Sequence, residues 1–243
     1  EKVTEELIIE ATRNGVISLE LCPVFCGSAY KNKGVQPLMD AVLAFLPSPT
    51  DIPNYAIDPE NEEERHLVTN DDSDPFLSYA FKLEDGAYGQ LTYVRIYQGK
   101  LIKGDFIHNA RTEKKVKVGR IVRMHSDNMD DIDEAGSGDI VALFGIYCAS
   151  GDTFLSDNTN LVLDSMHVPE PVIHLAIKPI DRKASDNMSK ALQRFTKEDP
   201  TFRVRFDAVS SETIVSGMGE LHLEVYIERM KREFKAEVEV GAP

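Results

Sequence analysis

No run of apolar residues approaches the ~18 needed to cross a bilayer, so no membrane partner is expected. The opening stretch, EKVTEELIIEATRNG, is acidic and has the character of neither a signal nor a transit peptide. It also lacks an initiating Met, so the chain is expected to begin in mid-protein or after processing. Cysteine is scarce: Cys22, Cys26 and Cys148 sit at spacings that fit no disulfide framework and no zinc site. Cys22 and Cys26 fall in or beside an apolar strand, which predicts buried, reduced thiols and a reducing compartment. Phosphate-cradling strings are missing. There is no GxxxxGK[ST] loop and no NKxD, since Asn32-Lys33-Gly34-Val35 lacks the Asp. The six His are scattered without metal-type spacing, so neither a metal site nor a catalytic constellation is expected. Positive charge is also in deficit. With 27 Lys and Arg against 41 Asp and Glu, the net charge is −14, which argues against a nonspecific nucleic-acid binder held by phosphate neutralisation. Any RNA contact must come from local basic patches.

What is present is enough sequence, 243 residues, for about two ordinary domains. Apolar side chains at helical spacing (Val3, Leu7, Ile8, Ala11) predict a helix ending near Asn14-Gly15. Val16 to Phe25 reads as a buried strand with Pro23 at an edge or break. Cys26-Gly27-Ser28-Ala29 is a turn, and Val35, Leu38, Met39, Val42 and Leu43 mark a helix to Phe45. Helix, strand, loop, helix is the closing unit of a doubly wound α/β sheet. A small-residue turn at a strand's carboxyl end is where such sheets bind ligands. Residues 48–67 carry Pro49, Pro53 and Pro59 and an acidic run, and read as an extended linker.

From Asp74 to Asp164 short strands alternate with turn signals. Leu77, Tyr79, Phe81 and Leu83 keep a period of two, Glu84-Asp85-Gly86 turns the chain, and Gln90 to Tyr97 runs extended. Lys115 to Met124 is another strand, followed by a polar loop to Gly138 and a strand from Ile140 to Phe144. Strands at this spacing without helices predict a closed or nearly closed antiparallel barrel. Arg111, Lys114, Lys115, Lys117, Arg120 and Arg123 form a basic run able to contact phosphates or simply to face water.

Residues from Pro169 onward read strand, helix, strand, strand, helix, strand, the ferredoxin-like split fold. Phe202, Val204 and Phe206 are expected to face its core, opposite Arg203 and Arg205. The junction from Ser165 to Pro171, with two Pro, predicts a small interface to the barrel. The stretch Ser210 to Phe234 organises this part. A short strand, Thr213 to Ser216, meets a Gly217-Met218-Gly219 turn whose glycines tolerate φ > 0. From Glu220 the period changes to that of a helix, with Leu223, Ile227, Met230 and Phe234 on one face and Glu228 and Arg232 as an exposed ion pair. His222 reads as a packing or interface residue more than a catalytic one.

The literal strings carry a further signal. Lys197-Glu198-Asp199-Pro200-Thr201-Phe202-Arg203-Val204 followed by Gly217-Met218-Gly219-Glu220-Leu221-His222-Leu223-Glu224 closely resembles the third domain of the elongation factor G family of translational GTPases. PFLSYAFKL, GQLTYVRIYQGKLIKGD and GSGDIVALFG resemble the barrel of the same family, and CGSAYKNKGVQPLMDAV resembles its guanine-contacting loop and the helix that follows. The resemblance covers nearly the whole chain. It implies the C-terminal remnant of an α/β GTP-binding domain over 1–47, a linker over 48–67, the barrel over 68–166 and a ferredoxin-like domain over 168–243.

By that resemblance, Ser28 and Ala29 meet the guanine base, and Gly217, Met218, Gly219, Glu220 and His222 are ribosome-contacting or signal-transmitting candidates. It further implies a monomeric factor of the cytoplasm or an organellar matrix that hydrolyses GTP with Mg²⁺ and moves tRNA and mRNA through the ribosome. It would touch rRNA and small-subunit proteins, reaching the tRNA–mRNA complex through domains beyond this chain. No nucleotide is expected to bind this stretch alone. Two alternatives stand beside this reading: a ribosome-recycling paralogue, and, in a different class, a ferredoxin-like RNA-binding module. The latter would need aromatic stacking platforms where this strand offers Arg203 and Arg205. An acylphosphatase-type enzyme would need an anion loop after the first strand, and Arg182 lies near that place.

Overall fold

A computed structural model describes residues 3–86, 89–126, 128–156, 160–164, 168–208 and 212–241. Residues 165–167 of the junction, Ser210 and Ser211 at the head of the organising stretch, and Ala242 and Pro243 lie outside the described residues. The chain divides into two compact units, Glu1–Asn54 and Tyr55–Pro243.

The first unit pairs helix α1 (Glu5–Ile17) with helix α2 (Val35–Phe45). Thr4 caps α1, its hydroxyl accepting from the Leu7 N–H at 3.3 Å. The helix runs through Asn14-Gly15 to Ile17, past the expected stop. Arg13 ties it to the end of α2, donating to the carbonyls of Ala44 (2.9 Å) and Leu46 (3.2 Å) and to Asp51 (2.7 Å). The strand expected over Val16 to Phe25 does not form. A strand needs a hydrogen-bonding neighbour, and no other strand of the described residues lies in this unit before Asn54. Leu19, Leu21, Val24 and Phe25 are exposed instead of buried, and so are Cys22 and Cys26. Among the described residues of this unit Ala41 is the one buried hydrophobic, so two helices leave most of their apolar faces open.

The second unit begins where a linker was expected. Strands β1 (Asn54–Asp58) and β2 (Asn61–Val68) occupy it, and β1 is the middle strand of a three-stranded sheet whose third member is β13 (Val162–Leu163). Pro53 and Pro59 flank β1 without entering it, so the proline rule removes only its borders.

The main sheet follows. Its strands are β3 (Leu77–Gly86), β4 (Gly89–Gln98), β6 (Phe106–Asn109), β7 (Lys114–Lys117), β8 (Ile121–His125), β9 (Asn128–Ile132), β11 (Ile140–Phe144) and β12 (Thr153–Leu155). They are ordered β7-β6-β12-β3-β4-β11-β8-β9, and short β5 (Leu101–Ile102) pairs separately with β10 (Glu134–Ala135). β3 runs on through the expected turn at Glu84-Asp85-Gly86, and the expected polar loop before Gly138 contains β9 and β10. Neighbours in this order pair antiparallel. Ile107 of β6, Val94 and Ile96 of β4, Ile121 of β8, Val141 and Leu143 of β11 and Phe154 of β12 share one buried cluster. Strands from both ends of the order can meet in one core only if the sheet rolls around it.

The last part is a four-stranded antiparallel sheet covered by two helices: β14 (Ile173–Pro179), α3 (Arg182–Glu198), β15 (Arg203–Asp207), β16 (Glu212–Gly217), α4 (Glu220–Phe234) and β17 (Val238–Gly241). Its order, β15-β16-β14-β17, is that of the expected split βαββαβ fold. Ile177, Val215, Met188, Leu192, Phe195, Leu223 and Met230 fill the layer between sheet and helices. Phe206, expected inside, is exposed on edge strand β15. Tyr226 takes a place in the core that periodicity assigned to Ile227. The ion pair on α4 is Arg229 with Glu233, at 2.8 Å, where Glu228 with Arg232 was expected.

Candidate functional site

The turn between β16 and α4 is built around His222. Gly219 is the N-cap of α4 and has an extended backbone, φ −179° and ψ 168°, with no side chain to satisfy the first amides. His222, three residues on, reaches back, and its Nδ1 accepts the Met218 N–H at 3.0 Å. The bond resembles the back-reach of a capping box but goes one residue further, to the amide before the N-cap instead of the N-cap's own. Glu220 adds an acidic side chain to the first turn, favourable to the helix dipole. Because Nδ1 accepts, the ring proton sits on Nε2, which donates to Asp199 Oδ2 at 2.8 Å.

Asp199 follows directly on α3 and gathers three more donors. The Tyr226 hydroxyl meets Oδ2 at 3.0 Å, and the Thr201 N–H and hydroxyl meet Oδ1 at 2.8 and 2.6 Å. Burial pushes the Asp199 carboxyl up. The Thr201, His222 and Tyr226 bonds outweigh it and hold the group below the usual carboxylate range. Burial first, then the Asp199 charge, pushes the Tyr226 phenol up, so it remains a donor. Behind the polar cluster, the Tyr226 ring packs against Phe202 at 4.6 Å and Phe195 at 4.8 Å.

Of the two glycines in the turn, the expected positive φ is found at neither. Gly219 is extended, with open space around a would-be Cβ, whereas a Cβ on Gly217 would lie 2.7 Å from both His222 Nδ1 and Leu223 Cδ2. Gly217 is required for space, and Gly219 is not required for conformation. Asp199, Thr201 and Tyr226 went unread in the sequence as members of this cluster. The signals were there: Asp199-Pro200-Thr201 has the form of a local Asx turn, and Tyr226 lies one helical turn beyond His222.

Ser28 and Ala29 sit in a closed loop of the first unit. The Ser28 N–H donates to the Lys33 carbonyl at 2.9 Å, and Ser28 in turn accepts from Lys33 and Lys31 at 3.0 and 3.1 Å. Gly27 faces Gly34: a Cβ on Gly27 would meet the Lys33 carbonyl at 2.8 Å, and Gly34 holds φ +73°. The backbone N–H of Ser28 is therefore spent inside the loop. Ala29 is exposed, its carbonyl accepting the Asn32 N–H at 3.0 Å, and Ser28 is half-buried with a hydroxyl that makes no capping bond.

Among the described residues the three arginines of the basic run are paired: Arg111 with Asp152, Arg120 with Asp131 and Arg123 with Asp139. Lys114, Lys115 and Lys117 lie along edge strand β7, the last two over the Phe106 ring. Near Arg182 the start of α3 is occupied by its own cap, Asp181, which accepts the Ala184 N–H at 2.6 Å. A carboxylate there repels the anion that an acylphosphatase would need to bind.

Comparison with known proteins bears on each part. Residues 168–242 match the family described as Elongation Factor G, domain III, and residues 89–155 match Elongation factor Tu domain 2. Elongation factor G 1 of Desulfotalea psychrophila is 66% identical over 243 residues, all of this chain and 35% of that protein. Over its whole length the chain is similar to elongation factor G. Elongation factor G 1 of Borreliella burgdorferi is 63% identical over 242 residues, again covering 35% of its length. A crystal structure of ttk003000868 from Thermus thermophilus superposes with a TM-score of 0.74 at 25% identity, covering all of this chain and 34% of that one. The chain thus spans about a third of the length of the curated elongation factors G it matches.

Proposed function

We propose that this chain acts as the middle of an elongation factor G-like translational GTPase that drives movement of tRNA and mRNA through the ribosome. In this reading residues 1–47 close the nucleotide-binding domain, 68–166 are the barrel that docks on the ribosome, and 168–243 transmit the nucleotide state. The observation that carries it is unbroken similarity at 66% identity across all 243 residues, including the segments that build the His222 cluster and the Ser28 loop.

GTP, held with Mg²⁺ in the whole factor, supplies the free energy of the step. This chain's share of its recognition is the base edge. The Ser28–Lys33 bridge and the Gly27–Gly34 contact pre-shape a loop that fits a planar hydrogen-bonding ligand at the exposed Ala29 and the Ser28 hydroxyl. Phosphates find no cradle among these residues, because the sequence holds no Gly-rich loop with its Lys. Lys114, Lys115 and Lys117 on the β7 edge suit rRNA phosphates. Gly217, Met218, Gly219, Glu220 and His222 form the transmitting turn.

The test replaces the matching third of a full-length elongation factor G with this chain and measures single-turnover mRNA movement and GTP hydrolysis on ribosomes. Translocation within about tenfold of the parent, roughly 1.4 kcal/mol in the barrier, is expected. A chimera that hydrolyses GTP on the ribosome without moving mRNA refutes the proposal. If the same chimera splits ribosomes together with a recycling factor, the recycling paralogue takes its place.

A further inference from the structure

The end of α3 holds three consecutive residues that each answer to a different neighbour. The Lys197 carbonyl, one of the four a helix leaves without an intrahelical partner, accepts the Ser150 N–H of the barrel at 3.0 Å. Glu198 receives Arg194 of its own helix at 2.6 Å and Arg229 of α4 at 3.0 Å. Asp199 receives His222, whose other nitrogen holds the Met218 N–H.

The barrel loop that donates to Lys197 is itself fixed. Asp152, buried at 3% exposure, accepts Arg111 through two bonds (2.6 and 2.8 Å), Asn109 at 2.7 Å and the Ala149 N–H at 2.9 Å. The Ser150 hydroxyl donates to the Phe81 carbonyl at 2.9 Å. α3 also lies along β3, lining a cleft in which Leu83, Gln90 and Tyr147 face Lys190, Gln193 and Arg194.

We propose that residues 197–199 are a joint through which the barrel loop 149–152 sets the position of the Gly217–Gly219 turn, with Asp152 and Asp199 as its positioning residues. A displacement of the loop must either break the Ser150–Lys197 bond or move Lys197. Asp199 lies two residues on with no slack between. Both of its oxygens are committed to four donors, so it cannot swivel without surrendering a bond. His222 is bound at both nitrogens and passes the displacement to Met218. This joint deepens the reading of the turn as a transmission element and depends on that reading only for its biological meaning.

Amide hydrogen exchange in the 243-residue chain tests it, with Met218 as reporter and Val94 and Val215, buried in the two cores, as controls. Asp199→Asn is expected to speed Met218 exchange about tenfold, the loss of one charge-assisted bond. Asp152→Asn is expected to speed it roughly three- to tenfold through the loop, leaving Val94 and Val215 unchanged. The double variant should exceed Asp199→Asn alone by no more than about twofold, since both act on one path.

Unchanged Met218 exchange in Asp152→Asn, or effects that simply multiply, would overturn the joint. If Asp152→Asn does not fold, Arg111→Met decides, because it removes two bonds to Asp152 from a side chain that is half exposed. Equal acceleration at Met218 and both controls then counts against coupling, and acceleration of Met218 alone supports it. A chimeric factor that fails to translocate while these exchange effects persist refutes the functional reading and leaves the joint standing.

Discussion

Replacing Gly217 by Ala isolates the packing that sets the turn. The new Cβ would lie 2.7 Å from His222 Nδ1, 2.7 Å from Leu223 Cδ2 and 3.1 Å from Leu223 Cγ. Ordinary carbon contacts need about 3.5 Å or more, so something must yield by the better part of an ångström. His222 is tethered at both ring nitrogens and Leu223 is fully buried, so neither yields freely. Overpacking of this kind costs about 1–3 kcal/mol. Loss of glycine's freedom in the unfolded chain offsets about 0.4–1 kcal/mol. The expected net loss is about 1–2 kcal/mol, or a fall in the thermal midpoint of roughly 2–8 °C at this chain length. Gly219→Ser is the matched control. With extended φ and open space, and with Ser favoured over Gly at an N-cap, it should change stability by less than about 0.5 kcal/mol. Differential scanning calorimetry on both variants gives the comparison. Equal destabilisation by the two, or a loss confined to Gly219→Ser, would refute the assignment of the spatial constraint to Gly217.

A thiol reagent at pH 8 should modify exposed Cys22 and Cys26 quickly. It should spare Cys148 until unfolding, because burial pushes that thiol up to about 11; labelling of all three at one rate would contradict its placement. Asp199 and Asp152 are both held below the ordinary carboxylate range. As pH falls, the unfolded chain takes up their protons first, so their stabilisation is full above about pH 4 and drains away as pH drops through the depressed folded values. Asp199→Asn should flatten that acid limb of the thermal midpoint, and an unaltered limb would show that the carboxylate contributes nothing there. The chain alone should bind GDP negligibly in calorimetric titration, since base contacts without phosphate contacts lack the charge-assisted bonds that dominate nucleotide affinity; micromolar binding would reveal a site the loop geometry does not contain.

Local pattern reached far where structure is local. The periodicity over Val35–Phe45 returned α2 residue for residue, and the switch to helical spacing at Glu220 placed the start of α4. The order of strands and helices after Pro169 was readable because each element buries one face against its sequence neighbours. Pattern failed where the deciding partner is distant or missing. Val16–Phe25 is apolar enough for a strand, but apolarity supplies no hydrogen-bonding neighbour. β1 lies between two prolines and forms because Ala56 and Ile57 pair with Leu163 and Val162, over a hundred positions away. Phe206 keeps the strand alternation, yet it belongs to an edge strand and stays exposed there.

The His222 cluster shows the same limit at the level of chemistry. An imidazole, a carboxylate and a phenol within hydrogen-bond reach of one another look like acid–base machinery. A general base, however, needs a lone pair free to meet a substrate proton, and a general acid needs a proton not already shared inside the protein. Here Nδ1 is filled by the Met218 N–H, the Nε2 proton goes to Asp199, and the Tyr226 hydroxyl goes to the same oxygen. Both His222 nitrogens and the Tyr226 proton are engaged in bonds within the protein. What the cluster can do is hold the end of α3, the face of α4 and the mouth of β16 in one fixed relation. The nearby glycine serves that end too, since Gly217 has no side chain because His222 and Leu223 occupy the place where one would stand. A residue that looks catalytic by type is made structural by having no bond left to give.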